Sequence, residues 1–199
     1  MNEQTPQALK PKLRPVKDED LKLIRDEDIA GVLGDDCWVH EGDLVIEGDL
    51  RVDSGALLVL GDLTVSGAVA TDETGTLAVT GQLKAHHLYL EGNLEVHGDA
   101  TLRGVVYCFC VAGNSRVYGA TTAKLGLIGG HDWFSYIEHF EVSVRFANNH
   151  KLLEGDPEAI RKLVGDKEFA QLARLLGVSK EEAEGSSNSV RGLSLFHRV

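Results

Sequence analysis

The sequence predicts a mainly β protein, a single-stranded β-solenoid in which short strands wind into stacked coils. Three observations favour this fold class. From residue 38 to residue 130 apolar and polar residues alternate, which is the period of a β-strand. One phrase recurs in this stretch: an apolar residue, any residue, Gly, a small polar residue and another apolar residue. The third observation is a spacing of 17 to 21 residues between five recurring glycines, Gly42, Gly61, Gly81, Gly98 and Gly119.

This spacing suits a coil of three short strands joined by three corners, because strands of about five residues are too short for a sandwich. A single coil cannot bury its apolar side alone, so the coils must stack on one continuous core. The span allows roughly five coils, more than the minimum of about three that repeats need. Leu44 and Ile46 alternate toward the interior, and so do Leu58 and Leu60.

Composition and charge restrict the class of protein. The chain has 199 residues, 43% hydrophobic and 26% charged, as in globular proteins. Its net charge of −11 disfavours nucleic acid as a partner, and either suits a basic protein partner or serves solubility alone. No stretch is long and apolar enough to cross a membrane, and residues 1–15 lack the apolar core of a signal peptide. Cys37, Cys108 and Cys110 form no disulfide framework, so we predict a reducing, cytoplasmic location.

The N-terminal region has two parts of opposite charge. Residues 1–17 are polar, proline-rich and basic, and we interpret them as a mobile arm that either stays solvated or folds back on the acidic residues that follow. Residues 18–37 are predicted to form an N-terminal cap with one or two short helical turns ending at Gly34. We expect this cap to cover the open end of the first coil, since an uncovered sheet edge invites aggregation.

Two stretches interrupt the rhythm of the solenoid, which we place at 38–130. Residues 71–75 break the apolar alternation and predict a loop at a corner. Residues 105–111 are apolar at nearly every position, as in a strand that is buried on both faces. The outer side of that strand therefore needs a cover, for which the C-terminal region is the candidate.

Residues 131–178 are predicted to form a C-terminal cap. Residues 141–146 alternate like one more strand. Asp156 and Pro157 begin a helix, and a second helix covers 167–176 and ends at Gly177. Residues 179–199 form a tail whose polar part is flexible.

Gly-Asp-Leu units recur along the solenoid, at Gly42, Gly48 and Gly61, with variants at Gly81, Gly92 and Gly98. In these units the repeat resembles the β-helix of the bactofilins, which are polymer-forming cytoskeletal proteins. The resemblance implies a right-handed helix and end-to-end filaments, but the ordered region expected after Gly130 departs from it. The overall layout, with His131-Asp132-Trp133 and residues 152–157, is also similar to small bacterial proteins of polymorphic-toxin neighbourhoods, which are suspected immunity proteins.

The residue pattern does not favour an enzyme. Acyltransferases built on hexapeptide repeats use a β-solenoid with a catalytic His, but strict six-residue steps are absent here. Cys108 and Cys110 either supply two thiolate ligands or are small buried hydrophobic residues, and we favour burial. His131-Asp132 is either a base with its orienting carboxylate or a structural turn, and we favour the turn. We therefore predict no catalytic residue, metal or cofactor. The histidines considered were His40, His86, His87, His97 and His131.

We therefore expect a non-catalytic, monomeric or small oligomeric protein that binds another protein, most concretely an immunity protein that meets a basic toxin domain. The alternative is a bactofilin-like scaffold that self-assembles through its solenoid ends. Trp38 and Trp133 are predicted interface anchors, although burial against the solenoid explains them equally well. Solvated corners likewise remain an alternative for the carboxylates predicted to bind a partner, which are Asp35, Asp36, Glu41, Asp43, Glu47 and Asp49.

Overall fold

A computed structural model describes residues 3–34, 36–108 and 113–146; side chains are described except those of Glu3, Lys10 and residues 142–146. The described chain is mainly β, as predicted. Its helices are α1 (Pro6–Leu9), α2 (Asp18–Leu21) and α3 (Glu27–Val32), and a 3-10 turn covers Lys10–Lys12. The strands are β1 (Glu3–Gln4), β2 (Arg14–Pro15), β3 (Cys37–Glu41), β4 (Leu44–Ile46), β5 (Asp49–Val52), β6 (Gly55–Leu60), β7 (Leu63–Val65), β8 (Ala68–Thr71), β9 (Gly75–Val79), β10 (Leu83–Ala85), β11 (His87–Leu90), β12 (Asn93–Val96), β13 (Ala100–Leu102), β14 (Val105–Cys108), β15 (Asn114–Gly129) and β16 (Asp132–Phe146).

These strands form a solenoid of about five coils, which confirms the predicted fold class. Each coil contributes one strand to each of three faces, and within a face the strands run parallel. Face A contains β3, β6, β9 and β12; face B contains β4, β7, β10 and β13; face C contains β5, β8, β11 and β14. The long strand β15 completes all three faces, and β16 pairs with it in parallel along its length.

The strand register follows the spacing of the glycines. Cys37 lies beside Ala56, 19 residues later, and Ala56 lies beside Thr76, 20 residues later. The next steps are 17 residues, from Thr76 to Asn93, and 21 residues, from Leu94 to Ser115. Gly42, Gly61, Gly81, Gly98 and Gly119 are separated by the same four steps, so the repeat in the sequence measures the length of each coil.

The interior of the solenoid is filled by apolar side chains from all three faces. On face A the inward residues of β6 are Leu57 and Val59, which belong to the main core. Leu58 therefore points outward, so the predicted inward alternation of Leu58 and Leu60 is wrong by one residue. Every residue from Ala56 to Val59 is buried, and this run of apolar residues hid which side faces the core.

Residues 3–17 lie against the first coil, whereas the sequence suggested a mobile arm. β1 pairs in parallel with β5, and β2 pairs antiparallel with β3. Leu9 is buried in the main core. The Arg14 guanidinium bonds Asp20 at 2.7 and 2.9 Å and Glu41 at 2.6 Å. For Arg14, therefore, the alternative prediction is correct: the arm folds back on the acidic residues that follow it.

Residues 18–34, here called the strap, cover the outer side of face A. Ile29 is fully buried there and packs in a second apolar cluster with Val39 and Leu58. The expectation that this segment covers the end of the first coil is therefore wrong, and residues 3–15 occupy that place instead. The outward apolar residues Val39, Leu58 and Ala78 share one row of face A, which gives the strap its apolar contact.

The Gly-Asp pairs join successive coils at the corner between faces A and B. The Asp43 carboxylate accepts a hydrogen bond from the backbone N–H of Asp62, and the Asp62 carboxylate accepts one from Gln82, both at 2.8 Å. A Cβ atom on Gly81 would lie only 2.2 Å from Asp62 Oδ1. The next coil thus needs Gly at this place because its backbone stacks directly on the carboxylate of the coil before. We call these contacts the Asp ladder.

The two irregular stretches are placed as predicted where the structure describes them. β8 ends at Thr71 and β9 begins at Gly75, which leaves a loop at a corner. All four residues of β14 are buried, and on the outer side of face C Tyr107 stacks on Tyr89 with 5.2 Å between the ring centroids. Cys110, the helices predicted within 156–177 and the tail at 179–199 lie outside the described residues. No described helix has the length and apolar character needed to cross a membrane.

Candidate functional site

The acidic residues predicted to bind a partner surround the first coil and do not form a column. Asp43 lies at the corner between faces A and B, whereas Asp49 begins the strand of face C. Asp49 is only 1% exposed, and its carboxylate accepts a hydrogen bond from Ala68 N at 2.9 Å. Glu41 is exposed but pairs with Arg14. Asp36 and Glu47 are exposed, and Asp35 lies outside the described residues.

Carboxylates do line up from coil to coil, but those that do so belong to the Asp ladder. Asp43, Asp62 and Asp99 each direct one carboxylate oxygen to a backbone N–H of the following coil. Their side chains therefore hold the corner together. Residues that are close in sequence lie around one coil, whereas residues about 20 apart stack on one another.

The two tryptophans occupy one inward-facing row of face A. Trp38 lies beside Leu57, and Trp133 lies beside Ser115 at the other end of the row. Trp133 is 7% exposed, belongs to the main core and donates from Nε1 to Glu138 Oε1 at 2.9 Å. For Trp133 the alternative of burial against the solenoid is therefore correct. Trp38 is half-buried on the first coil.

A Ser–His pair that the sequence did not indicate lies inside the last coils. Ser115 Oγ and His131 Nε2 are 2.7 Å apart, and both residues are buried. The neighbouring Asp132 carboxylate accepts from Arg116 Nη2 at 2.7 Å. The pair resembles a nucleophile with its base, but both residues are shielded from solvent. The pair could not be recognised in the sequence because Ser115 and His131 are 16 residues apart. They meet because this separation is about one coil, which brings them together in neighbouring coils.

The remaining histidines are spread over the solenoid. His87 is fully buried, and burial is the main reason that its pKa is lowered to about 3. His97 Nε2 lies 2.6 Å from the buried carboxylate of Glu95. Cys108 is buried in the core, as predicted, while burial raises the pKa of Cys37 to about 11. Within the described ranges, no three His, Cys, Asp or Glu residues are grouped so that they could hold a metal ion.

The structure reveals one candidate surface that the sequence did not single out, on the outer side of the last two coils that it describes. We call it the aromatic patch: Tyr118 on β15 and Phe134, Tyr136 and Ile137 on β16. Phe134 is 47% exposed and Tyr136 is 76% exposed. Tyr118 and Tyr136 directly follow Val117 and Ser135, which pair across the two strands, and the strand register shifts there before Ala120 pairs with Ile137.

Two arginines border the aromatic patch. The Arg25 guanidinium carbon lies 5.0 Å from the centre of the Tyr118 ring, in a cation–π contact. Arg116 lies beside Phe134 in the sheet and is held by Asp26 at 2.9 Å and by Asp132 at 2.7 Å. Hydrogen bonds to both carboxylates raise the pKa of Arg116, although burial opposes them as the largest single effect. The patch thus combines exposed aromatic rings with arginines whose positions are fixed.

Comparison with known proteins adds no relative: no protein-family model matches the chain, and neither a characterised protein nor a solved structure does. The bactofilin and immunity-protein resemblances therefore stay predictions that depend on the repeat and the layout of the sequence. What the chain shows directly is a β-solenoid of about five coils with a strap on one face and an exposed aromatic patch on its last coils.

Proposed function

We propose that this protein is a non-catalytic protein-binding module, most concretely a cytoplasmic immunity protein that binds and neutralises a cognate bacterial toxin. The observation that carries the proposal is the aromatic patch, in which Phe134, Tyr136 and Ile137 are each at least 45% exposed. Aromatic residues and arginine are enriched at protein interfaces, and a few such residues supply most of the binding energy.

The setting of the patch favours recognition of a preformed partner surface. Phe134 pairs with Arg116 on β15, and Tyr136 lies between the paired residues Ser135 and Ile137, so the sheet holds this stretch of backbone before binding. Arg25 and Arg116 are also held in place, by Tyr118 and by two carboxylates respectively. Rigid side chains lose little conformational freedom on binding, which favours tight association.

The burial of the Ser–His pair supports a role without catalysis. A nucleophile must reach the reacting carbonyl or phosphoryl group of its substrate, and Ser115 is 0% exposed. Asp132, the carboxylate adjacent to His131 in the sequence, bonds Arg116. We attribute the Ser115–His131 hydrogen bond to packing of the last coils.

Co-expression with the product of the neighbouring reading frame tests the proposal. We expect that product alone to arrest growth and this protein to restore it and to co-purify with it. Tyr136→Ala and Phe134→Ala should each weaken the complex by about 2 kcal/mol, roughly thirtyfold in the dissociation constant. Thr122→Ala, an exposed change on face B, is the matched control and should leave affinity unchanged. A non-toxic neighbour, or full affinity in Tyr136→Ala, would contradict the proposal.

A scaffold that self-assembles through its solenoid ends is the second candidate, and one observation favours it. Among the described residues of the first coil, β2 and β1 cover β3 and β5, while β4 pairs only with β7. The outward Val45 on β4 is 65% exposed. This candidate predicts filaments by electron microscopy and concentration-dependent mass by sedimentation. The immunity proposal predicts a monomer or small oligomer in the same measurements.

A further inference from the structure

One corner of this acidic protein carries a row of cations. Along the corner between faces B and C the backbone is stacked by three hydrogen bonds: His86 N to Gly67 O and Gly104 N to His86 O at 2.8 Å, and Lys124 N to Gly104 O at 2.9 Å. Successive coils of a parallel sheet lie about 4.8 Å apart. His86, Gly104 and Lys124 therefore stand one above the other, and Arg103 directly precedes Gly104, so His86, Arg103 and Lys124 belong to the same corner of three successive coils. We call this row the basic corner.

The basic corner is open to solvent. Arg103 and Lys124 are exposed and His86 is half-buried. One terminal nitrogen of Arg103 donates to Ser66 O at 3.2 Å, which draws the guanidinium back across the corner. Neither Arg103 nor Lys124 forms an ion pair with a carboxylate among the described residues. Two neighbouring cations without an ion pair in the described part of the chain, Arg103 and Lys124, are unusual in a protein with 31 Asp and Glu against 20 Lys and Arg.

A buried hydrogen-bond donor lies behind this row. His87 Nδ1 accepts from Val105 N at 3.1 Å, so the ring proton is on Nε2. His87 Nε2 is buried and has no hydrogen-bond partner among the described residues. A Cβ atom on Gly104 would lie 2.4 Å from His87 Cε1, so the ring covers Gly104, and Nε2 is bonded to that same carbon. The unused donor therefore lies close to the backbone of the basic corner.

The basic residues of this corner act on the pKa of His87. Burial is the main cause that lowers the pKa of His87 to about 3, and His86, Lys124 and Arg103 lower it further, in that order. The ring is therefore neutral at physiological pH, and its one N–H group, at Nε2, is a hydrogen-bond donor. Positive charge and a buried donor without an acceptor both favour the approach of an anion.

We infer that the basic corner is a binding site for an oxyanion, a phosphate or sulfate group, that is held by Arg103 and Lys124 and that accepts a hydrogen bond from His87 Nε2. Arg103 supplies several donors in a plane that matches such a group, and Lys124 adds a point charge. Because the site lies at the corner between faces B and C, whereas Phe134 of the aromatic patch lies on face A, it is independent of the proposed function. Glu141, exposed and next to Lys124 in the row, limits the affinity by repulsion.

Titration with inorganic phosphate and with sulfate, at constant ionic strength against chloride, tests this site. Isothermal titration calorimetry gives the affinity, and ¹⁵N-detected NMR of the histidine side chains reports the His87 Nε2–H. We expect saturable binding with a shift of that signal, and a loss of affinity of at least tenfold in Arg103→Gln with Lys124→Gln. Lys84→Gln removes an exposed cation of face B that precedes His86 by two residues and lies outside the row; it is the matched control and should bind normally.

Glu141→Gln separates a specific site from general attraction, because it removes the repulsion and leaves the donors unchanged. It should bind phosphate severalfold more tightly, and all four substitutions change exposed residues, so circular dichroism should remain that of the wild-type protein. Equal losses in Lys84→Gln and in the double variant would overturn the site in favour of diffuse electrostatics. Absence of saturable phosphate and sulfate binding would also overturn it, even if a nucleic acid bound.

Discussion

Trp38 and Trp133 stand at opposite ends of the same inward-facing row of face A. Leu57, Leu77 and Leu94 lie between them in successive coils, followed by Ser115. The two largest side chains of the chain thus flank a row of leucines.

We expect Trp133→Ala to destabilise the protein by about 3–5 kcal/mol, since it removes a buried aromatic side chain and leaves a cavity. Urea unfolding followed by circular dichroism measures this loss. Trp38→Ala is the comparison: Trp38 is half-buried, so its loss should cost clearly less. Equal effects of the two substitutions would contradict the different burial of the two ends.

The Asp ladder predicts a coupling between a glycine and the carboxylate beneath it. Gly81→Ala should destabilise the protein by about 1–3 kcal/mol, because the new Cβ would lie 2.2 Å from Asp62 Oδ1. Asp62→Ala should cost about 1–2 kcal/mol by leaving the Gln82 N–H without its acceptor. The double variant should be more stable than the sum of the two by at least about 0.5 kcal/mol, since the clash with the carboxylate is gone and only the contacts with the Gly61 backbone at 2.7 Å remain. Additive losses in thermal or urea unfolding would contradict this arrangement.

The repeat made the fold predictable because a glycine marks the corner between faces A and B once per coil. Asp follows three of these glycines, Gly42, Gly61 and Gly98, and each of these carboxylates accepts a hydrogen bond from the backbone of the next coil. The number of coils and the step between them could therefore be taken from the sequence alone.

The strap and the N-terminal strands could not be predicted in the same way, because their contacts are distant in sequence. Residues 1–17 have the composition of a mobile arm, yet Leu9 joins the core and Arg14 reaches Glu41. The one available signal was the apolar residue on the outer side of each early strand of face A, such as Leu58, which requires a cover. The aromatic patch could not be predicted for another reason: the sequence pattern of a strand does not tell whether another segment covers its outward side chains.

The strap is held at its centre by a buried carboxylate, which leads to a prediction about its mobility. Glu95 is 0% exposed and accepts hydrogen bonds from Arg25 N at 2.8 Å and Asp26 N at 3.0 Å. In Glu95→Gln one of these acceptors becomes a donor, so we expect hydrogen exchange in α3 to accelerate about 10- to 100-fold. Glu19→Gln, an exposed change in the same strap, should leave that exchange unchanged. Wild-type exchange in Glu95→Gln would show that apolar packing alone holds the strap.

His87 gives the protein a calculable response to acid. Its folded pKa of about 3 lies below the usual 6.5, so the unfolded state binds its proton first as the pH falls. This group costs no stability above pH 6.5, and its cost grows between pH 6.5 and pH 3, reaching about 2 kcal/mol at pH 5. In His87→Asn, which can still accept from Val105 N, that part of the pH dependence should disappear.

Urea unfolding of the wild-type protein and His87→Asn at pH 7.5, 6 and 5 measures this difference. The stability gap between the two proteins should narrow by about 2 kcal/mol from pH 7.5 to pH 5. A constant gap would mean that His87 takes up its proton equally well in both states, contrary to its burial.

The direction of the Asp ladder has a consequence for biosynthesis. Asp43 and Asp62 each direct their carboxylates to the coil that comes later in the chain. A finished coil thus offers hydrogen-bond acceptors to the segment that emerges next from the ribosome. Translation and stacking advance the same way, so the nascent chain can template its own growth coil by coil.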